Sequence, residues 1–227
     1  MELFGAKIDE TWQCTGPISP QQLDTPLIRL LDLVYSRSPE KSRHWLRKHI
    51  TLNYTPTTLC LQMIRIHAKR WRYEPETQFE NIKHISVYTN HAYQKHDDGL
   101  LLSETQKIVQ RLNLLKAKGT LPISALLFDQ NGHCILESWN TNEHFKHHHA
   151  EFNLLKSALH LGLLHKGSYT VVSSLKPCKA CAAALEACFK NNGTIKVYYL
   201  EDDPGPHARL SPDQTKWIHK LVDTRLV

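Results

Sequence analysis

Four side chains have the types and spacing to hold a metal ion and to move a proton beside it. His149-Ala150-Glu151 supplies an imidazole and a carboxylate, and Pro177-Cys178-Lys179-Ala180-Cys181 supplies two thiols. Cys178 and Cys181 stand at i and i+3, so a helix opening there turns both sulfurs to one side. Pro177 suits the first position of such a helix, where no N–H is needed. A helix N-terminus and a metal both favour thiolate. One nitrogen and two sulfurs are zinc ligands, and three protein ligands leave the fourth tetrahedral position for chemistry. Zinc brings a bound water's pKa down to about 7. Glu151, two residues beyond His149, then has the role of general base and acid.

Each half alone has a bland explanation. Cys-x-x-Cys serves structural zinc knuckles and redox pairs, and His-x-Glu arises by chance in a chain with 15 histidines. Their joint occurrence at the starts of two elements argues for a catalytic centre, because a structural site has no use for the carboxylate.

Positioning these groups requires strands that hand over to helices. Ser103-Glu104-Thr105-Gln106 is a capping-box candidate opening a helix with Ile108, Leu112 and Leu115 on one face. Pro122 to Asp129 reads as a buried strand, and Gln130-Asn131-Gly132 as the turn of a hairpin into His133–Trp139. A helix with Phe152, Leu155 and Leu159 inward follows a His-rich loop. Tyr169–Leu175 is a strand, Pro177–Lys190 a helix and Thr194–Leu200 a strand. Ser211-Pro212-Asp213 starts a last helix, and Asp223–Val227 is a candidate strand. Alternating strands and helices imply a helix-covered sheet with its site at the strand ends.

The first hundred residues read differently. Thr25-Pro26, Ser38-Pro39 and Thr55-Pro56 each resemble helix starts, ahead of Leu27, Leu30, Leu31 and Val34, of Trp45, Leu46 and Ile50, and of Leu59, Met63 and Ile66. His84 to Thr89 is a candidate strand and Lys95 to Leu100 a linker. The reading is a mainly helical basic domain over 1–98 and a second domain over 99–227. Net charge is +6, yet residues 41–72 hold eight Lys or Arg and no acid, so the excess is local. Arg65, Lys69 and Arg72 at i, i+4 and i+7 would form one helical stripe beside Trp71, with Trp45 also in the block. Cations interleaved with aromatics suit phosphate contact and base stacking, and a solvated helix face is the alternative.

Residues 103–227 resemble the cytidine deaminase-like superfamily, whose zinc-dependent nucleobase deaminases carry His-x-Glu followed by Pro-Cys-x-x-Cys. The likeness is greatest to its tRNA adenosine deaminases and related nucleic-acid editors. It implies an α/β/α three-layer sandwich with a mixed sheet of about five strands. It also implies zinc on His149, Cys178 and Cys181, with Glu151 catalytic. Trp139-Asn140 matches the family's Trp-Asn, which makes Asn140 a substrate contact. The backbone N–H of Ala150 and the carboxylate of Asp202 are assigned to substrate in the same way. Lys176 stands where the tRNA deaminases have Glu, Ser124-Ala125 replaces their Gly-Ala, and no Ser-Trp-Ser precedes Pro177. Some bacterial members carry an added N-terminal domain, and the first hundred residues are similar in that respect.

The remaining residues have plainer readings. His144, His147 and His148 read mostly as solvated loop residues, or else as groups that position substrate. Cys134 and Cys188 read as core thiols. The six scattered cysteines do not form a disulfide framework. The first residues lack the pattern of a secretory signal and no apolar run is long enough for a membrane span, so a cytoplasmic location is expected. The sequence therefore points to a zinc-dependent deaminase of a base in RNA, adenine ahead of cytosine. The alternatives are a deaminase of free bases, nucleosides or nucleotides, and an RNA-binding protein with structural zinc. The oligomeric state stays open, a homodimer included.

Overall fold

The computed structural model describes residues 4–9, 12–16, 23, 25–68, 70–79, 92–95, 99–142, 146–189 and 193–221. The chain forms two compact units, Met1–Thr89 with His144–Lys146, and Asn90–Glu143 with His147–Val227.

The first unit is mixed α/β, which corrects the expectation of a mainly helical domain. Its elements are β1 (Gly5–Ile8), β2 (Trp12–Thr15), α1 (Pro26–Arg37), α2 (Ser42–Trp45), β3 (His49–Leu52), α3 (Thr58–His67) and β4 (Arg70–Tyr73). The sheet order is β2-β1-β3-β4, with β3 and β4 parallel across α3. Thr25 caps α1 by accepting the Ile28 N–H at 3.4 Å, and Pro26 opens the helix as its position predicts. Leu27, Ile28, Leu30, Leu31 and Val34 are then buried. At about 2 kcal/mol for each such side chain, burial outweighs helix propensity in fixing α1.

The second expected helix shrinks to the single turn α2, and its expected member Ile50 lies in β3. The third is capped by Thr57, two residues later than predicted, and ends at Ala68 in extended backbone. Arg70-Trp71-Arg72-Tyr73 beyond it alternates cation and aromatic, the period of a strand. The i, i+4, i+7 spacing of the cations there was coincidental.

The second unit comprises β5 (Tyr93–Lys95), α4 (Thr105–Lys116), β6 (Ser124–Phe128), β7 (Cys134–Trp139), α5 (Ala150–His160), β8 (Gly167–Leu175), α6 (Lys179–Phe189), β9 (Gly193–Glu201) and β10 (Ile218–Lys220). Six strands, not about five, form one mixed sheet in the order β10-β9-β8-β6-β7-β5. The extra strand is β5, which the sequence did not mark; it ends at Lys95, where the stretch read as a linker begins, and pairs antiparallel with β7. The last predicted helix is only a 3-10 turn at Gln214–Lys216. The candidate strands at 84–89 and 223–227 lie outside the described residues.

Strand alternation sends Leu126, Phe128 and Val172 to one face, where Ile108, Leu112 and Leu115 of α4 pack on them. The opposite face carries α5 and α6. This sandwich holds the N-termini of α5 and α6 at the end of the sheet where β8 finishes. The hairpin turn is built as predicted: Asp129 Oδ1 accepts the N–H groups of Asn131 and His133, each at 2.9 Å, and Gly132 takes φ +79.

Candidate active site

His149 is the N-cap of α5, with φ −70 and ψ 161, so its ring projects from non-helical backbone. Its carbonyl accepts the first helical bond, from Asn153 N at 2.9 Å. The start of α5 is tied to the end of β7. Ser138 Oγ donates to the Ala150 carbonyl at 2.7 Å, and Asn153 Nδ2 donates to the Trp139 carbonyl at 2.8 Å. Thr141 N donates to the His148 carbonyl at 3.0 Å. Sequence reasoning missed Asn153, because nothing marks a mid-helix Asn as a brace before its neighbours are known.

Cys178 precedes α6, its carbonyl accepting Ala182 N at 2.9 Å, so Pro177 stands just outside the helix and not at its first position. The loop after β9 covers this end: the His207 carbonyl accepts Lys179 N at 2.9 Å. His149 Nδ1 lies 3.5 Å from Cys178 Sγ and 3.6 Å from Cys181 Sγ. A tetrahedral zinc with bonds of about 2.3 Å to sulfur and about 2.05 Å to nitrogen separates N from S by about 3.6 Å. The three donors therefore fit zinc.

Hydrogen bonds link the three groups. A hydrogen bond from Cys181 and then one from His149 hold the Cys178 thiol well below its usual range, and the same contact pushes Cys181 up. Burial draws the His149 imidazole down, but its bond to Cys178 and the charges around it prevail, lifting it to about 9.

Glu151 is buried, and its Oε1 accepts a hydrogen bond from Ser173 Oγ at 2.8 Å. Burial raises its proton affinity, against the pull of His149. Ser173 had no sequence signal, since a strand serine shows its partner only in the folded sheet.

Asn140 is fully buried just after β7. Its Oδ1 accepts Asn142 N at 2.9 Å, while its Nδ2 has no partner among the described residues. Ala150 is buried at the first turn of α5. Asp202 is exposed and paired with Lys220 at 2.6 Å. Its neighbour Asp203, which the sequence did not single out, is half-buried and adds to the charge felt by His149. His147 and His148 are not solvated, as was expected, but buried against Phe152; His144 lies outside the described residues. Cys188 is a core thiol, which burial pushes up to about 12.

The basic stripe is dispersed. Arg65 is exposed on α3, Lys69 lies outside the described residues, and exposed Trp71 and Arg72 sit on β4. Arg72 Nε approaches Thr51 Oγ1 and Glu74 Oε1, each at 3.0 Å. Trp45 is engaged within its unit, edge-on to Trp12 and beneath Lys48.

Residues 120–221 match the family model of Bd3614-like deaminases. That segment is similar to the deaminases of the cytidine deaminase-like superfamily. The resemblance read from the metal motif is thereby borne out. Among solved structures, one from a study of A-to-I editing by tRNA:A34 deaminases is 23% identical, covers 51% of this chain and 98% of its own, and has a TM-score of 0.35. A guanine deaminase from Nitrosomonas europaea is 14% identical, over 63% of this chain and 90% of its own, at a TM-score of 0.40. A dCMP deaminase from the cyanophage S-TIM5 is 14% identical, over 52% and 98%, at 0.36. No curated protein matches the chain. Among the described residues, no helix is long and apolar enough to cross a membrane.

Proposed function

We propose that the chain is a cytoplasmic, zinc-dependent hydrolytic deaminase that converts an exocyclic amine of a base in RNA to a carbonyl, adenine ahead of cytosine. The carrying observation is one cluster: half-buried His149, its Nδ1 at 3.5 Å and 3.6 Å from two buried cysteine sulfurs, with buried Glu151 two residues further on. His149, Cys178 and Cys181 would hold zinc, which supplies Lewis-acid activation of the attacking water.

The Glu151 carboxylate takes one proton of that water and passes it to the ring nitrogen, then takes the remaining hydroxyl proton as the carbonyl forms and delivers it to the departing amine, which leaves as ammonia. Burial suits it to both steps, since it must hold a proton long enough to deliver it. Asn140 Nδ2 offers an unused donor to an acceptor on the base. Ala150 N–H and Asp202 complete the proposed substrate contacts. Arg65, Lys69, Trp71 and Arg72 of the first unit are proposed to contact the RNA, from which the target base must unstack.

The test is ammonia release by purified protein from RNA, single-stranded DNA and free nucleosides. Glu151→Ala is expected to keep zinc and fold while turnover disappears. Unchanged ammonia release by that variant overturns the reading. Release from nucleosides alone overturns the RNA assignment.

A further inference from the structure

Ser173 sits fully buried on β8, and the mechanism above does not use it. Its hydroxyl lies 2.8 Å from Glu151 Oε1 and 3.5 Å from the Ser124 carbonyl oxygen, and it accepts Leu175 N at 3.4 Å. The backbone around it is pinned. Ser124 N donates to Ser174 Oγ at 3.0 Å, and Ser124 Oγ donates to the Leu112 carbonyl at 2.7 Å. Ala125 and Ser173 are the last pair of the β6–β8 ladder on this side, so side-chain hydroxyls continue the stitching where the backbone ladder stops.

A hydroxyl has one hydrogen to give and lone pairs to receive, and it turns freely between them. We propose that Ser173 is a positioning residue for Glu151, its hydroxyl holding the carboxyl group in one orientation. The Ser173 hydroxyl donates to Oε1, and the bond it accepts from Leu175 N fixes the hydroxyl's own place. Holding the group keeps its reach to substrate constant, and in active sites small misplacements cost large factors in rate.

This inference rests on the deaminase reading, and its test separates the two. Ser173→Ala, Ser173→Thr and Ser174→Ala are made in the full zinc-loaded chain. The Glu151 carboxyl band is isolated as the infrared difference between each protein and its Glu151→Gln counterpart. Ser173→Ala should shift that band and lower kcat by about tenfold, with KM and zinc content unchanged. Ser173→Thr should restore both. Ser174→Ala, which removes a neighbouring structural hydroxyl, should lower the melting temperature and leave band and kcat alone. An unmoved band in Ser173→Ala overturns the proposal whatever the activity, and so does an equal loss of kcat in Ser174→Ala. A parent protein that releases no ammonia sinks the deaminase reading instead, while the infrared comparison still decides what Ser173 does.

Discussion

Cys181→Ser should leave the isolated protein nearly free of zinc after dialysis, as measured by atomic absorption, because an alcohol is a far poorer ligand than a thiolate. Cys188 should behave oppositely to a ligand. With its thiol pushed up to about 12 by burial, it should resist alkylation at pH 8 in the folded chain and react once unfolded. The sign for stability follows from the same shift. An unfolded thiol releases its proton near pH 8.5, the folded one only near 12, so this contribution is full below about 8.5 and falls as pH rises between them. Denaturant midpoints across pH 7 to 11, compared with Cys188→Ala, would show it. The ligand set and Glu151 were legible because few chemistries need those types in that order. Ser173 and Asn153 were not, since Ser and Asn are common and their bonds cross between elements distant in sequence.

Helix α4 is fastened to β7 by a paired fork: Arg111 Nε and Nη2 donate to Glu137 Oε1 and Oε2 at 2.6 Å and 2.7 Å. The two ends are unequal, since the Arg111 side chain keeps 27% exposure and the Glu137 side chain none. Arg111→Ala should therefore cost about 3 kcal/mol or more, by stranding a buried carboxylate, and Glu137→Gln less, because the guanidinium can recover water. Urea melts of both variants test the order. Gly193 opens β9 at φ +137, and a Cβ there would clash with the Gly167 carbonyl oxygen. Gly193→Ala should thus cost at least about 3 kcal/mol on the same assay. Elements of the second unit were legible because their apolar runs were long and bounded by turn residues. In the first unit, β3 and β4 have only four residues each, too short to reveal a period among prolines that mimic helix starts.

At the scale of the molecule, the acid-free basic block of residues 41–72 belongs to the first unit and the metal cluster to the second. If the proposed RNA contacts are made, reversing Arg65, Lys69 and Arg72 should weaken polynucleotide binding and spare nucleoside turnover. It should also flatten the slope of log affinity against log salt by about 2, at about 0.7 for each lost phosphate contact on a single strand. Filter binding between low and moderate salt measures both; an unchanged slope removes these residues from the interface. The direction of β8 has a practical corollary. Gly167 opens that strand beside Gln130 of the hairpin turn, whereas Ser173 near its close meets Glu151. At about 3.3 Å per residue, roughly 20 Å of strand lies between them. A reporter peptide spliced between Gly162 and Lys166, or a dye on the hairpin tip, would thus give experimenters a handle remote from the reacting groups.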